Sequence, residues 1–158
     1  MRLVNAEYPN PHSATEIAEC KELAASFGLE ERIEWHTSFL SLQECQRLLA
    51  QCDLVVLPYD PSRESASGAL RVALASGTPV AVTPVEIFDE MGEAVHRFPT
   101  LNVGSIADGI NMLLSDPKAR RLHQEAASAW LKERDWEPLA RRLKGMLTGL
   151  CASRRLLN

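Results

Sequence analysis

The polar segment from Glu64 to Gly68 carries the residue types best suited to bind a ligand. It reads Glu-Ser-Ala-Ser-Gly and follows the apolar run Leu54–Pro58. Ser67 and Gly68 open a helical pattern, and the first turn of a helix carries unpaired amides and the positive end of the helix dipole. Because these groups attract anions at the carboxyl edge of a parallel sheet, the segment predicts a site for a phosphorylated ligand.

The side chains of this segment add groups that can recognise a sugar phosphate. Ser65 and Ser67 offer hydroxyls, and we expect one of them to cap the helix. Glu64 can accept hydrogen bonds from sugar hydroxyls while backbone amides hold a neighbouring phosphate. Two nearby arginines, Arg63 and Arg71, can neutralise a diphosphate. The alternative is an ordinary helix start beside surface residues, and the residues alone leave both open.

Short apolar runs alternate with amphipathic segments on both sides of this site. We predict strands at Arg2–Ala6, Arg32–His36, Leu54–Pro58, Pro79–Thr83 and Ala94–Phe98. Helices are predicted from the capping boxes Ser13–Glu16 and Ser41–Glu44, and over 67–75, 85–91, 105–114, 117–132 and 135–150. The pattern therefore predicts an α/β fold over residues 1–158, a single domain with a Rossmann-like, mostly parallel sheet, flanking helices and a helical C-terminal section.

Two sets of apolar positions lead to expectations about burial. In the last helix the side chains expected to face inward are Trp136, Leu139, Leu143 and Leu147. The thiols of three cysteines fall where apolar residues are expected, at Cys20, Cys45 and Cys52. Without a metal-ligand or disulfide spacing, these favour buried free thiols in a reducing cytoplasm.

Composition and missing motifs exclude several classes of protein. The net charge of −4 argues against nucleic-acid binding, and the spacing of the four histidines predicts no metal site. Neither a dinucleotide-binding nor an ATPase glycine loop is present, so we expect no cofactor. A late basic cluster comprises Arg141, Arg142, Lys144, Arg154 and Arg155. That cluster is either a solvated helix face or a contact with an anionic membrane surface.

Several stretches together resemble a known family, the GT-B-type retaining glycosyltransferases, in their C-terminal nucleotide-sugar-binding domain. Cys52–Pro58 resembles the family's strand that ends in proline, and Glu64 with Ser67-Gly68 resembles its donor loop. Ala73–Val80, read as Ala-Leu-Ala-Ser-Gly-Thr-Pro-Val, is close to the family's Glu-Ala-Met-Ala-Ser-Gly-Thr-Pro-Val. Leu29–His36 resembles the stretch that leads into an earlier strand.

The resemblance implies a nucleotide-sugar donor, with its diphosphate on the amides of Gly68, Ala69 and Leu70 and its sugar oriented by Glu64 as the catalytic residue. It implies metal-independent, retaining hexosyl transfer in polysaccharide or lipopolysaccharide biosynthesis. The sugar or glycolipid acceptor would bind an N-terminal domain that this sequence lacks, so we expect no turnover from the chain alone. The expected location is the cytoplasm, with contact to the inner face of the membrane.

The sequence departs from the family pattern in two respects. The second of the family's two donor-loop glutamates falls on Val72, which cannot hydrogen-bond a ribose. The family's domain normally begins with one more strand and helix, which include a basic pair that neutralises the diphosphate. The present sequence starts at what resembles the second strand. We expect either a fragment of a longer enzyme, a sheet that closes up, or a strand borrowed from a second copy in a homodimer.

Two other functions are open at this point. The first is a non-catalytic scaffold or interaction module with a degenerate sugar-nucleotide fold, which Val72 and the missing basic pair favour. The second is a signalling receiver, which needs an acidic pair after the first strand. The chain has Asn5-Ala6-Glu7 there, and this disfavours the receiver.

Overall fold

A computed structural model describes the backbone of residues 1–155 and the side chains of residues 1–151. Their contacts divide into two compact units, Met1–Cys45 and a second that begins at Gln46, and each is described by itself. The expectation of a single domain stays a prediction. None of the described helices has the length and apolar character needed to span a bilayer.

The first unit is built on two parallel strands joined by a helix. Strand β1 (Arg2–Val4) pairs in parallel with β2 (Glu34–His36). The Glu34 carboxylate of β2 links the two strands, because it accepts a hydrogen bond from Arg2 of β1 at 2.7 Å. It also contacts the ring of His36 on its own strand at 2.7 Å. These two partners, Arg2 foremost, lower the pKa of the Glu34 carboxyl.

Helix α1 (Pro11–Ser26) begins earlier than predicted. Asn10 is its cap and accepts from the Ser13 amide at 2.8 Å, and Pro11 occupies the first turn, where its missing N–H costs nothing. The predicted capping box at Ser13 is therefore wrong. The helix ends at Ser26 with Phe27 as its C-cap, and Gly28, which was predicted to stop it, follows with the left-handed φ of 63° that favours glycine.

Only a narrow face of α1 is buried. Ile17 and Ala24 are buried, whereas Cys20 is exposed and Phe27 is 69 % exposed. The prediction of a buried Cys20 thiol is therefore wrong. Ile17 and Ala24 lie two turns apart on one line of the helix, and Cys20 lies to the side of that line. Of the other cysteines, Cys45 and Cys52 are partly buried and Cys151 is exposed, and all four are free thiols.

Helix α2 (Leu42–Leu49) begins at the predicted capping box. The Ser41 amide donates to the Glu44 carboxylate at 2.9 Å, and the Glu44 amide donates to Ser41 Oγ at 3.2 Å. This reciprocal pair satisfies two of the amides that a helix start leaves open.

The second unit contains three parallel strands in the order β3-β4-β5. Its strands are β3 (Val55–Leu57), β4 (Val80–Val82) and β5 (His96–Arg97). Its helices are α3 (Gly68–Ala75), α4 (Val103–Ser115), α5 (Pro117–Glu133) and α6 (Trp136–Arg155), with a 3-10 segment at Glu86–Ala94. The parallel α/β fold is thus confirmed, but in the described residues the strands form two ladders rather than one.

The core of this unit forms on both faces of the central strand β4. Val80 and Val82 pack into one cluster with α3, α5 and the 3-10 segment, where Leu74 and Phe88 are almost fully buried. Ala81 points to the other face, where it packs in a second cluster with Phe98 and with Leu113 of α4. Because both faces are covered, β4 is apolar at every position, as its sequence predicted.

The last helix differs from prediction in its burial. Every residue from Asp135 to Cys151 is exposed, including the four side chains that were expected to face inward, Trp136, Leu139, Leu143 and Leu147. Periodicity identifies an apolar stripe on a helix, but it does not identify the surface that covers the stripe. That prediction is therefore wrong for this structure, and the side chains of Arg154 and Arg155 lie outside the described residues.

Candidate ligand-binding site

The loop between β3 and α3 is tied to the sheet at both of its ends. Thr83, which directly follows β4, donates its hydroxyl to the Tyr59 carbonyl at 2.6 Å. The Tyr59 hydroxyl lies 3.1 Å from Ser67 Oγ at the far end of the loop. These two contacts place the start of α3 at the carboxyl edge of the parallel strands, where the sequence predicted it.

Ser67 is the cap of α3, so one of the two predicted serines has this role. Its backbone is extended, with φ −105° and ψ 115°, and its Oγ accepts from the Leu70 amide at 3.1 Å. Ser67 is 7 % exposed, and its hydroxyl contacts both Tyr59 and Leu70. It therefore shapes the turn, and the Leu70 amide is engaged by protein.

The two amides between Ser67 and Leu70 remain open to a ligand. Gly68 and Ala69 are exposed and stand at the first two helical positions, where no carbonyl of the helix can accept from them. A Cβ built on Gly68 would meet no heavy atom within 4 Å. In the described part of the chain, this turn is not filled by other protein atoms.

A cavity of about 470 Å³ adjoins the turn. One wall is the loop 62–67 with Leu70 and Arg71, and the other is the stretch from Glu86 to Met91. Glu64, Ser65 and Ser67 line it, whereas Gly68 and Ala69 do not. The structure therefore brings the predicted side chains to one cavity and leaves the two open amides beside it.

The cavity is lined by four carboxylates and by two guanidinium groups, those of Arg63 and Arg71, so its lining is net negative. Its carboxylates come from four residues, Glu64, Glu86, Asp89 and Glu90. Asp89 pairs with Arg97 at 2.7 Å, while the other three form no ion pair with any described residue. Carboxylates accept hydrogen bonds and repel anions, so the cavity suits a ligand group rich in hydroxyls better than a phosphate.

One of the two arginines that line the cavity, Arg71, lies near an aromatic ring. Its guanidinium carbon is 5.8 Å from the centre of the Trp130 ring, and that of Arg134 is 4.2 Å from the same centre. Trp130 is 8 % exposed and donates its indole N–H to the Glu90 carbonyl at 3.3 Å. Trp130 thus contacts groups from both walls of the cavity.

Sequence reasoning did not assign the second wall to the site. Its acidic residues lie in the short segment that directly follows β4, so they stand at the same sheet edge as the loop after β3. That position was a usable signal, since parallel strands end together. No group of three or more histidine, cysteine or acidic residues in the described part of the chain is arranged to hold a metal ion.

Comparison with known proteins places the fold in context. A family model described as "Glycosyl transferases group 1" matches residues 9–116. No curated protein sequence matches the chain.

Solved structures share the fold at low sequence identity. The structure of Anabaena HepE in complex with UDP and glucose matches with a TM-score of 0.76 and 19 % identity, over 94 % of this chain and 40 % of that one. Sucrose-phosphate synthase from Thermosynechococcus elongatus matches with a TM-score of 0.73 and 19 % identity, over 96 % of this chain and 38 % of that one. The C-terminal domain of the group 1 glycosyl transferase LpcC from Francisella tularensis gives 0.62 and 21 %, over 75 % and 61 %. The chain thus spans about two fifths of the length of the first two proteins.

Proposed function

This chain belongs to the glycosyl transferases group 1 family, and we propose that it is the donor-binding C-terminal part of a nucleotide-sugar-dependent glycosyltransferase. One observation carries the proposal: the open first turn of α3 lies beside a cavity lined by unpaired carboxylates. The first element suits a diphosphate and the second suits a sugar. HepE, whose fold the chain shares, was solved with UDP and glucose.

The donor diphosphate binds at the start of α3. The amides of Gly68 and Ala69 donate to its oxygens, and the dipole of α3 favours its negative charge. Of the three amides that the family resemblance implied, that of Leu70 is held by Ser67 and is less available. Arg71, at the edge of the same turn, supplies positive charge for the diphosphate.

The donor sugar occupies the adjoining cavity. Glu64 accepts hydrogen bonds from sugar hydroxyls and orients the ring, and the Ser65 hydroxyl lies on the same wall. The barrier to transfer lies largely in the departure of an anionic nucleotide from an oxocarbenium-like sugar. Fixed amide dipoles at the phosphates lower that barrier without a metal ion. Retention of configuration is the part of the proposal that rests on the family resemblance.

The acceptor binds elsewhere in the whole enzyme. We propose that a sugar or glycolipid acceptor of polysaccharide or lipopolysaccharide biosynthesis sits on an N-terminal domain, on the cytoplasmic side of the membrane. The isolated chain then binds donor without transferring it. A homodimer through a shared strand stays a prediction.

Calorimetric titration of the purified chain tests the proposal. UDP, GDP, ADP and one sugar conjugate of each are titrated, and at least one matched pair is expected to bind. Glu64→Gln should weaken binding of the sugar conjugate about tenfold, as expected for one lost hydrogen bond to a charged group, and leave the free nucleotide unchanged.

The control for this variant is Glu125→Gln, which removes one exposed carboxylate on α5 outside the cavity. It should bind both ligands like the wild type. If the wild-type chain binds none of the six ligands, the proposal is wrong.

The second candidate is a non-catalytic scaffold with a degenerate sugar-nucleotide fold. Val72 favours it, because a partly buried valine stands where the family has its second glutamate. A scaffold is expected to bind none of the nucleotides, so the same titration distinguishes the two functions.

A further inference from the structure

The indole ring of Trp130 forms a fixed surface beside the start of α3. Its helix, α5, packs against both α3 and the 3-10 segment, and Trp130 belongs to the core cluster that these elements share with β4. The indole N–H donates to the Glu90 carbonyl, so the ring is held by a hydrogen bond as well as by packing. A side chain that rests on this ring is therefore positioned by the core and not by the exposed loop.

Arg71 is the exposed residue of α3 that contacts this ring. Its guanidinium carbon lies 5.8 Å from the ring centre, within the range of a cation–π contact. Such a contact uses the face of the ring and leaves the N–H donors of the guanidinium available. Among the residues whose side chains the structure describes, Arg71 forms no ion pair, whereas Arg134, which contacts the same ring, pairs with Glu133 at 3.4 Å. Arg71 is thus oriented without being neutralised.

The position of Arg71 on α3 lacks a negative partner. Arg71 is the fourth residue of the helix, at the end of its first turn, where the positive end of the helix dipole disfavours a cation. No acidic residue occupies that turn. Glu86 and Glu90, on the opposite wall of the cavity, form no ion pair with Arg71. A bound anion supplies the negative charge that this turn lacks.

We propose that Trp130 is a positioning residue for Arg71 and holds its guanidinium ready to donate to the donor diphosphate at the start of α3. This inference rests on the proposed function, because it takes the diphosphate site as given and names the group that prepares its cation. A free arginine side chain loses conformational freedom when it binds a phosphate, and an arginine that already rests on a ring loses less. The effect of Trp130 on the ligand therefore passes through Arg71.

A double-mutant cycle, read by calorimetric titration of the full chain with UDP, GDP and ADP, tests this inference. Trp130→Leu should weaken binding of the preferred nucleotide about fivefold, the factor that corresponds to ordering one long side chain. Arg71→Gln should weaken it about tenfold, as expected for a lost hydrogen bond to a charged group. With Arg71→Gln already present, Trp130→Leu should cost less than about twofold more. The control Arg121→Gln removes an exposed positive charge on α5 outside the cavity and should bind like the wild type.

Tryptophan fluorescence tests the same contact with Trp130 intact, so it also serves if Trp130→Leu fails to fold. Trp35→Phe with Trp136→Phe leaves Trp130 as the one tryptophan of the chain. A saturating concentration of the preferred nucleotide should change its emission, because the ligand engages the guanidinium that lies on the ring. Adding Arg71→Gln should abolish this change, whereas adding Arg121→Gln should preserve it.

The possible results separate this inference from the proposed function. If the wild-type chain binds a nucleotide and Trp130→Leu costs the same with and without Arg71→Gln, Trp130 acts on stability alone. The inference is then wrong while the donor site stands. An emission change that persists after Arg71→Gln would overturn it in the same way. If the wild type binds none of the three nucleotides, the proposed function is wrong and this inference is wrong with it.

Discussion

The hydroxyl of Tyr59 lies 3.1 Å from Oγ of Ser67, so the loop that follows β3 and the cap of α3 form one hydrogen-bonded corner. The same Oγ accepts from the Leu70 amide, and the Tyr59 carbonyl accepts from Thr83. The start of α3 is therefore fixed by contacts that run back to the central strand. A ligand at this turn meets a preformed arrangement of amides.

Removing the cap is expected to destabilise the protein. Ser67→Ala deletes the acceptor for the Leu70 amide and leaves the Tyr59 hydroxyl without this partner. We expect the free energy of unfolding to fall by about 1–2 kcal/mol, the usual cost of a lost helix cap. Urea denaturation followed by circular dichroism measures it. Ser128→Ala, at an exposed position of α5, is the control, and an equal loss in both variants would contradict the role of Ser67.

Restoring the family's second glutamate is expected to strengthen nucleotide binding. Val72→Glu places a carboxylate at the position where the family resemblance implies a contact with the ribose. One hydrogen bond from a ribose hydroxyl to a charged group should improve UDP affinity about tenfold. Calorimetry measures the gain, and Val72→Met, of similar length without an acceptor, should show none. An equal gain for a UDP analogue without ribose hydroxyls would contradict this explanation.

A side chain at Gly109 is expected to disturb the packing beneath α4. A Cβ there would lie 2.6 Å from Cδ1 of Phe98, which is completely buried. Gly109→Ala should therefore lower the free energy of unfolding by about 1–3 kcal/mol, in the range of overpacked cores. Gly145→Ala, with no atom within 4 Å of the new Cβ, should be neutral or stabilising by up to about 1 kcal/mol. Similar melting temperatures for both variants would contradict the close packing.

Stability is expected to depend on pH through His96. Burial, followed by the neighbouring His123 ring, lowers the pKa of His96 below its usual 6.5. The folded protein then binds fewer protons than the unfolded chain, so this contribution to stability is complete above about pH 6.5 and is lost as the pH falls toward the folded-state pKa.

Unfolding measured between about pH 8 and pH 5 should show this decline in the wild type. His96→Gln should flatten it. The matched variant His12→Gln, at an exposed position on α1, should keep the wild-type slope. A slope that does not change in His96→Gln would contradict the assignment.

The sequence predicted those elements that depend on local chemistry. Ser67-Gly68 and the Ser41–Glu44 box gave correct helix starts because a cap acts within one turn. At α1, two local signals competed. Asn10 with Pro11 replaced the box at Ser13, because the earlier start adds nearly one turn of helix with its own cap.

The errors and omissions came from long-range packing. The period of α6 is correct, but exposure of Trp136 depends on what covers the helix, which no spacing encodes. The second wall of the cavity was missed for a similar reason. Glu86 and Glu90 look like ordinary surface glutamates in the sequence. They become part of a site only because β3 and β4 end at the same edge of the sheet.

The two anchors of the loop after β3 have a consequence for how this site changes over evolution. Tyr59 and Ser67 are held by hydrogen bonds, while among the described residues 60–66 between them the only hydrogen bond is the one that the Glu64 amide donates to Ser62 Oγ at 3.3 Å. If the cavity holds a donor sugar as proposed, substitutions in this span are expected to alter which sugar is preferred without disturbing the scaffold. Selectivity and foldability would then be encoded in separate residues, and each could diverge at its own pace.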